Sequence, residues 1–558
     1  MKTIFLILFY FLSAIGYSQT SLTDENFQEA INICLSTNPV DGMCTNSEYG
    51  AMPDWDVSDV TDMKNAFASE SEFNADLSNW NVENVINMAT MFEGATNFNA
   101  DISMWDVGQV KNMTGMFYTA LGFNADLNLW NVQNVTDMSY MFWASLSFNS
   151  DISNWNVSNV TCMESMFSNT SVFNSTLNNW NVSSVTDMSA MFSNAPAFNS
   201  PLNEWDVSAV TDMSAMFDNA TVFNSKLNNW DVSSVTDMSG MFRSASSFNS
   251  DLNDWDVSAV TDMSAMFDNA TVFNSKLNNW DVSSVTDMSG MFRFSSFNSD
   301  LNVWDVSSVT NMGGMFYNAI NFNSPLNDWD VSSVIEMRDM FRSALLFNSD
   351  ISDWDVGSVR SMDRMFSNAT VFNSNINSWD TSSLSFMGLI FYKATAFNSD
   401  ISNWDISKVT YLYAAFDSCG LSTENYDALL TDWSQQDVNS NLNFSAAGLT
   451  YCQSTSARQS LIDNHGWIIT DAGLDCTSVY VDEETDQSIS VYPNPTSGIL
   501  NIQGNNKELT AVIFDILGKK IMSQSFFNEV DLSQLETGIY IIRISDGQNS
   551  FSQKIIKI

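Results

Sequence analysis

Few residue types in this chain could do chemistry. His465 is its one histidine, so any Ser-His-Asp or Cys-His site must use it. It stands between Asn464 and Gly466 at an expected helix end, where the helix dipole also favours an imidazolium. Without histidine, paired carboxylates can still cleave a glycoside. Here acidic residues recur by position, and the residue after tryptophan interchanges between Asp and Asn: Asp56, Asn81, Asp106, Asn131. Asn cannot serve as a general acid, whereas either side chain can accept a hydrogen bond. These positions therefore read as structural acceptors, and neither a catalytic residue nor a cofactor is expected. Asp residues one repeat apart could share a calcium ion through its roughly six to eight oxygen ligands. No spacing matches an EF-hand loop or a glycine-rich nonapeptide, and none resembles a zinc site.

The elements that carry these residues repeat. Trp55, Trp80, Trp105 and so on to Trp280 stand 25 apart; one residue is then missing, and the series resumes from Trp304 to Trp404. A fixed period of this size means stacked supersecondary units. Residues 205–243 and 255–293 are identical, the mark of a tandem duplication. Within one unit Trp205 and Val207 alternate with Asp206, which is strand spacing. Met213, Met216, Phe217 and Ala220 then fall at i, i+3, i+4 and i+7, the stripe of a short helix, with Thr211 as N-cap and Asp212 in the first turn. The expected fold class is an α/β solenoid: about fifteen 25-residue strand and short-helix units over 55–419. The alternation puts the indoles with valine in the core, not on a sugar-stacking surface. Asn follows Phe at the same turn from Asn74 to Asn398, an expected ladder of amides satisfying buried backbone.

The motif Trp-Asp/Asn-Val-Ser-x-Val-Thr-Asp/Asn-Met-x-x-Met-Phe runs from Trp55 to about Phe366, with looser forms to Phe416. It resembles the BspA-like branch of bacterial leucine-rich-repeat surface proteins. That resemblance implies a leucine-rich-repeat-like array, a surface location and a role such as adhesion, and no chemistry. The residues flanking tryptophan should face out: Asn79 with Asn81, Asn154 with Asn156, Asn229 with Asp231, Asp254 with Asp256, and Asp328 with Asp330. This polar, acidic stripe is the expected ligand face. Repeated weak contacts there suit an extended ligand through avidity.

An array needs capped ends. Residues 19–54 form the expected N-terminal cap, with Phe27, Ile31 and Cys34 on one helix face. Residues 420–477 form the C-terminal cap, with a helix from Ser422 to Trp433 and another from Ser456 to Asn464. Lys2, the apolar run Ile4 to Ile15 and Gly16 to Ser18 read as a signal peptide over 1–18. No other stretch approaches a membrane span, so none is expected in the mature chain. Export permits disulfides, and Cys34 with Cys44 and Cys452 with Cys476 are candidate staples, though spacing leaves the connectivity open. Cys162, alone in a repeat, is expected as a small buried residue.

After an acidic linker at 478–488 the texture changes to short β runs over 489–558, an expected small all-β sandwich. Tyr492 with Pro493, Asn494, Pro495 and Gly498, the run Phe514 to Lys519 with Gly518, Leu535 to Tyr540 with Gly538, and Lys554 to Lys557 resemble the sorting domain read by the type IX secretion system. That resemblance implies the secretion machinery as a partner and a chain released or anchored at the outer surface.

Asp and Glu number 65 against 20 Lys and Arg, a formal net charge of -45. Such a surface repels phosphate backbones and anionic lipid, which excludes nucleic acid as a partner. The sequence thus points to an exported interaction protein, an adhesin or scaffold for an extracellular glycan or surface protein. The alternative is a surface-layer spacer with no specific ligand.

Overall fold

The computed structural model describes residues 20–477, 490–503, 509–515, 519–545 and 550–558. The expected signal peptide at 1–18, the linker at 478–488 and Gly518 lie outside the described residues. The chain divides into two compact units, Met1–Val479 and Tyr480–Ile558.

In the first unit each repeat is one rung, and the rung is a succession of four-residue turns. Trp205 N–H bonds Leu202 O, Val210 N–H bonds Val207 O, Met216 N–H bonds Met213 O, and Ala220 N–H bonds Phe217 O. The first and fourth residues of every such turn are buried. The middle two lie at or near the surface, apart from Asp218. This corrects the expected strand and helix. The stripe Met213, Met216, Phe217, Ala220 comes from two consecutive turns, which also place apolar residues at i, i+3, i+4 and i+7. A helix is ruled out locally by left-handed backbone at Ala215 (φ 53) and Asn219 (φ 55). Thr211 caps nothing: its N–H and hydroxyl both donate to Thr186 O of the preceding rung.

The left-handed residues have a purpose. They turn alternate N–H groups the same way, so Met213, Ala215, Phe217 and Asn219 donate to Asp237 O, Ser239 O, Met241 O and Arg243 O of the following rung. All four bonds run in one direction, unlike the reciprocal exchange of a parallel β-ladder. Each rung contributes one parallel bridge, from Asp62↔Asn87 through to Phe386↔Tyr411. The core is a set of aromatic columns. Trp205 and Trp230 lie 6.3 Å apart at 2° between planes, and Phe217 stacks on Phe223 at 3.9 Å within its rung. Two methionines per rung, such as Met213 and Met216, fill the space between them.

Helix α1 (Phe27–Leu35) closes the first rung. Asp24 stands in for the missing rung: its carboxylate accepts Thr61 N–H at 2.7 Å, Thr61 Oγ1 at 2.6 Å and Asp62 N–H at 3.0 Å. A disulfide joins Cys34 to Cys44. At the other end α2 (Thr423–Trp433) starts at Ser422, whose side chain accepts Asn425 N–H, and buries Tyr426, Leu429, Leu430 and Trp433. Helix α3 (Thr455–His465) ends on left-handed Gly466. Strands β1 (Asn443–Ser445), β2 (Thr450–Tyr451), β3 (Ile468–Thr470) and β4 (Gly473–Leu474) pair in parallel as β1 with β3 and β2 with β4. Ser445 O and Ala447 O accept the last rung's Phe416 and Ser418 N–H groups. A second disulfide joins Cys452 to Cys476.

The second unit has seven strands among the described residues: β5 (Ser490–Tyr492), β6 (Ile499–Gln503), β7 (Leu509–Asp515), β8 (Lys520–Phe526), β9 (Glu529–Asp531), β10 (Gly538–Ser545) and β11 (Ser550–Lys557). They form antiparallel sheets in the orders β5-β6-β9 and β11-β10-β7-β8. Leu500, Ile513, Val530, Ile542 and Ile555 share one core. Strands β8 and β9 are mostly polar along their length.

Candidate functional site

Asn79, Asn81, Asn154, Asn156, Asn229, Asp231, Asp254, Asp256, Asp328 and Asp330 are all exposed. They do not flank a strand. Those before tryptophan lie inside the turn that ends on the indole. Those after it open the next turn, where Asp231 Oδ1 accepts Ser233 N–H at 3.1 Å and Asp256 Oδ1 accepts Ser258 N–H at 3.1 Å. Asn81 and Asn156 accept in the same way from Glu83 and Ser158. Either amide or carboxylate oxygen serves, which is why Asp and Asn interchange. From Asp206 to Asp405 this position is Asp in every rung, so one carboxylate oxygen binds its own turn and the other stands in a continuous acidic row.

Four carboxylates at this position are poor proton donors. The Ser58, Ser208, Ser283 and Ser332 hydroxyls, helped by their N–H groups, hold Asp56, Asp206, Asp281 and Asp330 below the usual carboxylate range. A general acid needs the opposite shift. The indoles beside them are core: Trp205 is 3% exposed, and its Nε1 donates to Leu177 O. The asparagine ladder runs unbroken, as in Asn224 N–H to Asn199 Oδ1 and Asn249 N–H to Asn224 Oδ1. Its turn is exposed rather than buried.

Cys162 is half-buried, not enclosed. Its thiol and the Glu164 and Asp187 carboxylates lie within 4.8 Å of one another, the set among the described residues that could hold a metal ion. Each group already has company: Tyr140 hydroxyl donates to Glu164, Ser189 donates to Asp187, and burial with the neighbouring carboxylates keeps the thiol's pKa raised. His465 closes α3, and its carbonyl accepts Asn441 N–H.

Sequence reasoning missed two structural acids. Buried Asp427 on α2 accepts the N–H groups of Cys452, Gln453 and Ser454 and the Ser454 hydroxyl, holding the start of α3. Asp471 receives Arg458 Nε at 2.7 Å and Tyr426 hydroxyl at 3.1 Å. An acid on the apolar face of an expected helix was the available signal for Asp427.

In the second unit Asn494 ties the Pro493–Pro495 segment to the last strand. Its amide donates to Lys554 O at 2.7 Å, and its Oδ1 accepts Ile556 N–H at 2.8 Å. Gly498 packs where a Cβ would meet Ser533 Oγ at 2.7 Å, and Tyr540 hydroxyl donates to Glu536 O.

The first unit is thus a tandem-repeat array of turns, and the second a separate β unit. Overlapping matches at residues 40–151, 121–210, 144–255, 200–296, 238–345, 293–388 and 321–433 place the repeats in the family described as Mycoplasma protein of unknown function, DUF285, and the chain belongs to that family. Residues 490–558 match the secretion system C-terminal sorting domain. The protein is therefore exported by type IX secretion, to the cell surface or beyond it, and engages that machinery. Among curated proteins none matches the chain. No helix among the described residues is long and apolar enough to cross a membrane.

Proposed function

We propose that the protein is a non-enzymatic adhesin or scaffold, a turn-built solenoid of the leucine-rich-repeat kind that resembles BspA-like surface proteins. It binds an extracellular glycan or surface protein through the residues on either side of the tryptophan column. The observation that carries this reading is the exposure, rung after rung, of Asn and Asp at those positions. Those after tryptophan are fixed to their own turns with polar atoms to spare, so many weak contacts can add along one ligand. Calcium would act as a bridge between ligand carboxylates and the acidic row. The identical segments 205–243 and 255–293 favour a second reading, a spacer with no ligand, since duplicated rungs carry no variation.

Binding of the exported protein to a polysaccharide panel and to cell surfaces, with and without a chelator, tests the reading. Saturable binding lost on Asp254→Lys with Asp256→Lys supports the adhesin. Absence of binding above background leaves the spacer.

A further inference from the structure

Arginine is distributed unlike any other charge in this chain. Six of its eight arginines fall between Arg243 and Arg364. They occupy the rung's Met-Phe turns and the approach to them, six to thirteen residues after tryptophan, and none takes a position beside an indole. Around Asp339 they converge: Arg342 Nη1 lies at 3.1 Å, Arg364 Nε at 3.0 Å and Arg338 Nε at 3.6 Å. Two of the three hydrogen-bond that carboxylate. Arg338 stays at ion-pair range, with its side chain 61% exposed. On these two rungs Arg338, Arg342, Arg360 and Arg364 face only Glu336, Asp339 and Asp363 as charged residues of their turns, on a chain whose net charge is -45.

Beside this cluster lies a groove of about 570 Å³. It exists because side chains are missing. The ninth and tenth residues after tryptophan are Gly313 and Gly314 on one rung and Ser289 and Gly290 on the rung before, where the next rung has Arg338 and Asp339. Tyr317 and Arg293 form part of the wall. Arg293 is held by a two-pronged pair to Asp268, and Arg342 sits 4.9 Å from the centre of the Tyr317 ring. The walls are thus braced before any ligand arrives; Arg338, with Glu336 and Asp339 beside it in the lining, is ion-paired without a hydrogen bond and keeps N–H donors to offer. Four rungs at about 4.8 Å each make a trough on the order of 15 Å long, open at its floor to backbone. Tyr and Arg are also the side chains that dominate binding energy at recognition surfaces.

We propose that this groove binds a short segment of an acidic polysaccharide. Arg338 takes a carboxylate or sulfate of the glycan as a charge-assisted pair, Tyr317 offers a ring edge to a sugar, and the glycine floor lets the chain lie close to backbone. The site is separate from the tryptophan-flanking face and does not depend on it. It gives an acidic protein a groove in which an exposed guanidinium faces an acidic ligand.

The test is calorimetric titration of the full exported chain with an oligogalacturonate, a sulfated dextran and neutral dextran. Two groove variants, and the Asp254→Lys with Asp256→Lys variant, are compared with the parent. Arg338→Ala removes the exposed guanidinium. Gly313→Tyr fills the groove with the residue that Tyr413 shows to be accommodated at the same place in a later rung. The expected result is binding of one or both acidic glycans and not of neutral dextran, weakened about tenfold or more in both groove variants, with thermal unfolding unchanged. The carboxylated and sulfated probes separate the two anion chemistries. Undiminished binding in both groove variants, or no preference for acidic over neutral glycan, overturns the proposal. Loss only on Asp254→Lys with Asp256→Lys also overturns it, and leaves the adhesin reading standing.

Discussion

Trp205 Nε1 donates to Leu177 O of the preceding rung at 2.9 Å, and the same carbonyl accepts Trp180 N–H, which closes the turn of that rung. One buried oxygen therefore fixes both the turn and the distance to the next rung. Trp205→Phe removes the indole donor and part of the core volume, for an expected loss of about 1–3 kcal/mol. Trp205→Ala should cost about 3–5 kcal/mol. Because a rung contacts its neighbours alone, hydrogen exchange should accelerate around residues 180–230 and hardly elsewhere. Uniform acceleration along the stack would refute that locality.

Ala215 tests the one-directional ladder. It sits in left-handed backbone at φ 53, where Gly240 occupies the equivalent place of the next rung at φ 60. Relief of the Cβ clash competes with glycine's entropy, so Ala215→Gly should be neutral or stabilising by up to about 1 kcal/mol. Ala215→Val puts a branched Cβ in the same well and should destabilise by more than that. Urea midpoints of the two variants give the ranking; the reverse order would mean the turn is not left-handed in solution.

The period, the indole core, the asparagine ladder and the helices after Ser422 and Ser456 were legible because burial repeats and caps have local signals. The rung's backbone was not. A turn that buries its first and fourth residues writes the same apolar pattern as a helix over Met213 to Ala220, and only the sign of φ at Ala215 and Asn219 separates them. Alanine and asparagine do not announce that sign. The groove was invisible for a different reason: Gly313, Gly314 and Arg338 belong to two rungs, and an absent side chain becomes a cavity only when rungs stack.

Asp24 gives the stack an acid-sensitive end. Burial works against its charged form, yet the Thr61 hydroxyl and the Asp62 and Thr61 N–H groups prevail and hold its carboxyl below the usual range. Its folded pKa lies under the unfolded one, so its contribution is fully present above about pH 4 and is lost as pH falls through the folded value. Asp24→Ala should cost about 0.5–2 kcal/mol at neutral pH, as other lost caps do, and should flatten the acid limb of the stability profile. Thermal melts of parent and variant from neutral to acid pH check both. Equal slopes in acid would remove Asp24 from the account.

Asn494 makes a localisation prediction. Its side chain bonds Lys554 and Ile556 of β11, beside the backbone pairing of Thr496 with the same strand, and β11 is an edge of the larger sheet. Asn494→Ala leaves the Pro493–Pro495 segment held to β11 only through its neighbour Thr496 and leaves Ile556 N–H without the amide oxygen it donates to, so the surface made jointly by the segment and the last strand loosens. Asn494→Asp keeps an acceptor for Ile556 and loses the donor to Lys554, and should fall between parent and alanine. Cell fractionation should find the parent outside the outer membrane, and the alanine variant accumulating in the periplasm. The stack itself should remain folded, since it is a separate compact unit; intact binding by periplasmic material would show this. Export of the alanine variant at parental yield would mean that the machinery reads other residues of 490–558.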